Sequence, residues 1–300
     1  MNDSRTARNV SDALDSDAVR LERTGKDGTL TLVFQNDSTG RTIIKSQFAR
    51  TPLHVQRALH YDDLCPDLAY LYIVSASGGI LQEDRYEIDI TMKKDSKAHI
   101  TTQGATRIYS MNTGCAIQTI NVTLEENAYM EFIPDQIIPY GGSRFYQDAH
   151  LNVHDSATLV YSDIVTPGRV AMKELFEYDL CHIKTRVVNQ KDRLKLTDVA
   201  RLDPKKQRLA SFGILGDSTV VGSVYIITEK NVPVLCKEIS EMISGMYGIL
   251  GGASMIKDDG GVIVRILGCH TEHVKNAILD IARHAREKCT GFSSSEIRKS

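Results

Sequence analysis

Alternation of apolar and polar residues with a period of two, interrupted by turn chemistry, limits what this chain can fold into. Its densest stretch runs from Ser77 to Tyr109, SGGILQEDRYEIDITMKKDSKAHITTQGATRIY. It opens on the Gly78-Gly79 turn, passes the acidic pair Glu83-Asp84, and alternates twice around the polar link Lys93–Lys97. It closes on Thr-Thr-Gln-Gly-Ala-Thr. Successive side chains on a strand point to opposite faces, so this pattern places one apolar face on a core. Two strands joined by a short turn are the reading.

The same signal recurs along the chain. Thr29–Gln35 and Arg41–Phe48 alternate around Asn36–Gly40 as a hairpin, and Leu53–Arg57 and Ala69–Val74 are further strands. Ala116–Leu124 pairs with Ala128–Ile133 across Glu125-Glu126-Asn127. Pro134–Gly142 is a turn-rich connector, followed by strands at Ser143–Val153 and Thr158–Asp163. Glu174–Val188 and Arg193–Leu202 meet at Asn189–Asp192, and Thr219–Thr228 is a β-branched strand. The end of the chain changes character. Val234–Met246 carries apolar residues at helical spacing after Pro233, Gly260–Leu267 is a strand, and Thr271–Lys288 is the best helix. The pattern is mainly β with two helices in the C-terminal half. No repeat of fixed length is visible, so the sequence alone does not specify a regular solenoid. Residues 1–27 are polar and read as a disordered or loosely attached leader, leaving 28–300 as one β domain.

Composition narrows the function classes. A formal net charge of −2 gives no global electrostatic case for nucleic acid or an anionic membrane surface. No apolar run approaches the roughly 20 residues of a membrane helix, and the polar N-terminus is not a secretory signal. Six widely spaced cysteines without a Cys-x-x-Cys read as reduced thiols of a cytoplasmic protein.

The sequence bears on four kinds of chemistry. The pairs Gly78-Gly79, Gly141-Gly142, Gly251-Gly252 and Gly260-Gly261 lack the Lys-Ser/Thr of a phosphate loop and open no βαβ helix, so they read as turns. Cys269, His270 and His273 hold metal-ligand types at close spacing at the entry to the last helix. A structural site normally needs four ligands, which favours a surface cluster. No Gly-x-Ser-x-Gly elbow or activated cysteine supports nucleophilic catalysis. Finally, three acids sit at strand mouths. Asp84 follows the Gly-Gly turn, Asp163 ends a strand, and Glu174 begins the next one after Thr166-Pro167-Gly168-Arg169. They could line a polar passage for a divalent cation, against the ordinary reading of solvated turn acids.

Taken together, several segments resemble the urease accessory protein UreD (UreH) family. They are Pro52–Arg57, Ser77–Asp84, Thr101–Tyr109 (with Thr102 and Gln103), Glu131–Asp135 with Ile138–Arg144, Ser162–Arg169 with Glu174–Phe176, and Val262–Gly268. The likeness covers about residues 28–288 in the family's order. Three positions depart from its pattern: Glu83 and Lys173 stand where glycine is common, and Gly104-Ala105 stands for Ala-Ala.

The resemblance implies a β-helix-like stack of many short strands with two helices, and a scaffold rather than an enzyme. It implies partners UreF, the GTPase UreG and the structural subunits of urease, no permanently bound cofactor, and nickel(II) in transit. It assigns Asp84, Asp163 and Glu174 as candidates for the nickel passage, and Gly78, Gly79, Thr102, Gln103, Pro167, Gly168 and Arg169 as family-motif residues. The rival reading is a stand-alone β-helical enzyme or a carbohydrate-binding module. With no tryptophan and 6% aromatic residues, stacking platforms for sugars are thinly supplied. A third reading, autonomous metal storage, requires tight stoichiometric nickel binding.

Overall fold

The computed structural model describes residues 25–292; most of the expected leader, residues 1–24, lies outside them. Asp27 already belongs to the first strand, β1 (Asp27–Asn36). Seventeen strands and two α-helices follow one another in the described residues. They are β1, β2 (Thr42–Arg50), β3 (Leu53–Val55), β4 (Ala69–Ser75), β5 (Arg85–Met92), β6 (Lys97–Thr102), β7 (Thr106–Ile108), β8 (Ala116–Leu124) and β9 (Tyr129–Phe132). There follow β10 (Ile137–Pro139), β11 (Arg144–Val153), β12 (Thr158–Val165), β13 (Leu180–Val188), β14 (Leu194–Leu202) and β15 (Val220–Ile227). Helix α1 (Val232–Gly245), β16 (Ile249–Met255), β17 (Val262–Gly268) and helix α2 (Thr271–Thr290) complete the order.

From β4 onward the chain coils between two sheets. The first sheet runs β14-β13-β11-β8-β5-β1-β2, and the second β16-β17-β15-β12-β9-β6-β4-β3 with β7 and β10 at its margin. Each coil lays one strand in either sheet, parallel to the strand of the coil before. In the second sheet Ala69 pairs with Ala98, Lys97 with Tyr129, and Tyr129 with Thr158, so a coil spans 29, 32 and 29 residues. In the first sheet Arg85 pairs with Ile117, Ala116 with Phe145, and Arg144 with Leu180, at 32, 29 and 36 residues. The expected β-helix-like stack is present, and its unequal coils explain why no fixed repeat shows in the sequence. Antiparallel strands close both ends: β1–β2 and β13–β14 in the first sheet, and β15, β17 and β16 in the second.

Turns stack as the strands do. Asp95 and Asn127 both adopt left-handed φ, at 61° and 57°, a conformation that Asx residues tolerate well. Asp95 N–H donates to the Glu126 carbonyl, and Asn127 Nδ2 donates to the Asp95 carboxylate at 3.0 Å. The polar links Lys93–Lys97 and Glu125–Asn127 are thus successive rungs of one column.

Alternation sets which residues meet. Leu30, Leu32 and Phe34 of β1, and Tyr86, Ile88, Ile90 and Met92 of β5, enter the core between the sheets. The second sheet is covered on both faces, so β12 and β15 are buried throughout. Covered strands read as continuous apolar runs. On β12, Leu159, Tyr161 and Val165 face the first sheet, while Val160 and Ile164 pack under the helices with Val274, Ile278 and Ile281 of α2. No helix among the described residues is long and apolar enough to cross a membrane.

Several details differ from the sequence expectation. Ala116–Leu124 and Ala128–Ile133 do not pair with each other, because β8 lies in the first sheet and β9 in the second. Gly251-Gly252 is not a turn but the middle of β16, where a Cβ on Gly251 would come within 2.6 Å of the Arg265 carbonyl. The close pairing with β17 requires glycine there. Strand β13 starts at Leu180, because residues 166–179 form a looped segment. The connector Pro134–Gly142 contains the short strand β10.

One buried ion network joins α2 to the coils. Arg286 is 2% exposed; its Nε donates to Glu131 Oε1 at 2.6 Å, its Nη2 to Glu131 Oε2, and its Nη1 to the Tyr70 hydroxyl at 3.1 Å. Asp62 lies 3.4 Å from Nη1 and accepts from Tyr70 at 2.7 Å. His99 and Tyr129 complete the shell around Glu131. Burial disfavours the Glu131 anion, but the guanidinium outweighs it and holds the carboxyl well below its usual range. Removing one partner leaves a buried charge unpaired, which typically costs about 3–5 kcal/mol. Arg286→Met is therefore expected to destabilise the fold by about that amount in urea titrations. Arg286→Met combined with Glu131→Leu should recover part of the loss, since the Glu131 charge is then gone while Asp62 keeps its hydrogen bond from Tyr70.

Candidate functional site

A cavity of about 350 Å³ lies between the two sheets at the end where β4 passes to β5 and β6 to β7. Its mouth is formed by Ser77-Gly78-Gly79 and by Thr102-Gln103-Gly104, of which Gly78, Gln103 and Gly104 are exposed. Its inner wall is Gln118 and Gln147 from the first sheet and Phe132 and Asp163 from the second.

The mouth is shaped by close approach. A Cβ on Gly79 would sit 2.5 Å from the Tyr109 ring and 2.6 Å from the Arg107 carbonyl. Here the Gly-Gly strip joins β7: Ile80 N–H donates to Arg107 O at 2.8 Å, and Tyr109 N–H donates to Ile80 O at 2.9 Å. Only glycine permits that contact. Opposite, Thr102 Oγ1 accepts the Asp135 N–H at 2.8 Å, and Gln103 N–H reaches Ile73 O at 2.9 Å. The motif residues of the mouth hold two loops against each other.

At the inner end, amides lead to a carboxylate. Gln118 Nε2 donates to Gln147 Oε1 at 3.1 Å, and Gln147 Nε2 donates to Asp163 Oδ1 at 2.8 Å. The Tyr161 hydroxyl gives Oδ1 a second hydrogen bond at 3.0 Å, whereas Oδ2 is buried without a partner among the described residues. Asp163 sits inside β12 rather than at its end, and it faces the inter-sheet space. Beyond it, a small void bordered by Cys181, Ser223, Tyr225 and Arg265 continues on the far side. Burial pushes the Asp163 carboxyl up to about 6; the donors Gln147 and Tyr161 and the charge of Arg265 oppose this only in part.

The other two acids are placed differently. Asp84 is buried and caps the turn: Oδ1 accepts from Lys26 N at 2.8 Å and Oδ2 from Leu81 N at 2.9 Å. It does not line the cavity. Glu174 belongs to the loop before β13, not to a strand. Arg169 grips it through Nε at 2.8 Å and through Nη2, and Gly141 N–H donates to it at 3.3 Å. Arg169 lies over the Tyr140 ring at 4.2 Å, and its hydrogen bonds to Glu174, more than its charge, hold that carboxyl below its ordinary range. Gly168, at φ 132°, lets the chain pass the Glu174 carbonyl, and Phe176 N–H closes the loop on Pro167 O. Asp84, Asp163 and Glu174 are thus not drawn into one cluster.

Nor do the helix-entry residues converge. Cys269 is exposed and its Sγ reaches only the Asp217 carbonyl at 3.4 Å, while the His270 and His273 rings meet edge to face at 5.2 Å. Among the described residues no group of three or more His, Cys, Asp and Glu is placed to hold a metal ion. The two imidazoles stay in contact at the start of α2, while Cys269 turns to the Asp217 carbonyl. Gln118 and Gln147 were missed in the sequence. The signal for Gln147 was an amide in an inward slot of β11, between Phe145 and Ala149.

Comparison with known proteins is consistent along the whole described chain. The family model of the UreD urease accessory protein matches residues 26–299. A urease accessory protein UreD of Cenarchaeum symbiosum is 41% identical over 278 residues, covering 92% of this chain and 97% of that one. The urease accessory protein UreD 2 of Brucella suis is 37% identical over 91% of each chain. A UreD of Photorhabdus laumondii is 34% identical over 91% of this chain and 85% of its own.

The electrostatics of Asp163 have a measurable sign. Its folded pKa is raised above the unfolded value, so the protonated acid favours the fold. The contribution is full below the unfolded value near 3.8 and is lost as pH rises through about 6. Asp163→Asn should flatten the pH dependence of urea stability across that window; an unchanged slope would contradict a buried carboxylate with one oxygen left unpartnered among the described residues.

Proposed function

Because the chain belongs to the UreD urease accessory protein family, we propose that it acts as a non-enzymatic scaffold in the maturation of urease. In this reading it bridges UreF and the GTPase UreG to apo-urease in the cytoplasm, and nickel(II) crosses it as cargo on the way to the enzyme. The observation that carries the second part is the inter-sheet cavity, which leads from an exposed mouth to one buried carboxylate with a spare oxygen.

The chemistry suits transit better than storage. Several N and S ligands closed around nickel would retain it, whereas oxygen donors few in number hold it weakly. Asp163 offers one carboxylate, held by the Gln147 amide N–H, and the Gln147 carbonyl oxygen lies one step along the same wall, where it accepts from Gln118. Above pH about 6 the acid is ionised and can attract the cation. Asp84 and Glu174 serve the passage from outside the wall. Asp84 fixes the turn behind the Gly78-Gly79 mouth, and Glu174 fixes the Pro167-Gly168-Arg169 loop that follows β12.

Co-expression of Asp163→Asn with UreF, UreG and apo-urease tests this. Nickel-dependent urease activity is expected to fall at least about tenfold, the order of a lost ligand contact in a metal pathway, while the partners still co-purify. Undiminished activation would sink the role of Asp163. Loss of co-purification would instead mark it as a folding residue.

A further inference from the structure

The outer face of the first sheet carries a groove of about 1060 Å³, separate from the inter-sheet cavity. Its floor is ordered in rows by the parallel register. One row reads Glu87, Thr119, Asp148 and Lys184 across β5, β8, β11 and β13. Flanking rows place Tyr146 stacked on His182, with ring centres 4.6 Å apart, and His150 beside Arg186.

Asp148 is the anomaly in that floor. It is 6% exposed, and Oδ2 meets His150 Nε2 and Lys184 Nζ, each at 3.4 Å. Oδ1 is buried in the groove wall with no hydrogen-bond partner among the described residues. An orphaned buried acceptor costs free energy unless something supplies a donor. Two strands away, Glu87 lines the same groove, and among the described residues no cation pairs with it. The neighbouring Asp89 is satisfied by Asn121 Nδ2 at 2.7 Å, so Glu87 alone in its strand is left uncompensated. Between the two acids stands Thr119, whose short side chain leaves open a span of roughly 9–10 Å between the backbones of β5 and β11.

We propose that this gap is a binding site for the guanidinium group of an arginine on a partner protein, held between Glu87 and Asp148 above Thr119. A planar fork with donors on two edges can serve two carboxylates at once, which a point-charged ammonium does less well. The charge is complementary on both sides. Lys184 and His150 both meet Oδ2 of Asp148, which leaves Oδ1 for the arginine. The groove is far larger than one side chain, and its remaining length, bounded by Arg50, Arg85 and Arg186, fits a polypeptide surface rather than a free ion. The site lies on the opposite face of the sheet from the passage residues, so its test is independent of nickel transfer.

The isotope-labelled chain is titrated with the peptide Ac-Gly-Arg-Gly-NH2, its citrulline analogue and guanidinium chloride at matched low concentrations, followed by amide shifts. The arginine peptide is expected to move the amides of Thr119 and its row neighbours, with apparent affinity at least tenfold above citrulline. Glu87→Gln with Asp148→Asn should remove the response. Thr119→Arg, which supplies the group from within and keeps both acids, should block it equally. Citrulline acting as well as arginine would overturn the charge-based site. Guanidinium chloride equalling the peptide would overturn a partner surface in favour of a small-cation site. Absence of any shift would overturn both.

Discussion

Everything in this molecule depends on register between coils. A parallel strand cannot satisfy its own backbone groups; it needs the strand one coil earlier and one coil later at a fixed offset. Here that offset is 29 to 36 residues, so side chains that far apart in sequence become neighbours, as Gln118 and Gln147 do inside and Thr119 and Asp148 do outside. A slip of one residue would exchange the two faces. The Gln118–Gln147–Asp163 row would then turn to solvent and the Thr119–Asp148 row would enter the core. The turn column of Asp95 and Asn127 guards against this, because each left-handed residue is hydrogen-bonded to the rung beside it.

Within that frame the inter-sheet core is apolar almost throughout, and its exception is local. Three polar side chains meet where the cavity ends, and they satisfy one another except for a single oxygen of Asp163. Two hydrogen bonds would ordinarily hold a carboxyl low, yet full burial prevails and its pKa rises. Glu131 shows the opposite balance a short distance along the same sheet, since a guanidinium in direct contact overcomes the same penalty. The contrast separates a carboxylate built to stay paired from one left with capacity to spare.

Much of the fold was legible. Alternation located β1, β5, β8 and β11 to within a residue or two, and the stripe Val274, Ile278, Ile281 found α2. Strand β16 was hidden because glycines at its centre carry turn chemistry, and only the pairing with β17 explains them. Glu174 was misplaced because Lys173 and Phe176 take left-handed conformations that break the apparent strand, which local pattern does not announce. The site was legible in part. The Gly78-Gly79 and Thr102-Gln103 segments do meet at one mouth, and Asp163 does face the space behind it. That Asp84 and Glu174 have their oxygens committed elsewhere depends on Lys26, Leu81 and Arg169 being brought beside them. Those contacts are decided by tertiary structure rather than spacing.

The position of Arg286 has a consequence in time. Coils built from residues 69 to 165 contact mainly their nearest neighbours in sequence and can assemble as the chain emerges from the ribosome. Glu131, however, finds its guanidinium 155 residues later. Until α2 arrives, the wall of the solenoid around Tyr70, His99 and Tyr129 stands open to water, with its charge solvated rather than paired. The last helix is therefore what converts a loose stack into a finished body, and a chain interrupted before residue 286 would leave that wall unsealed.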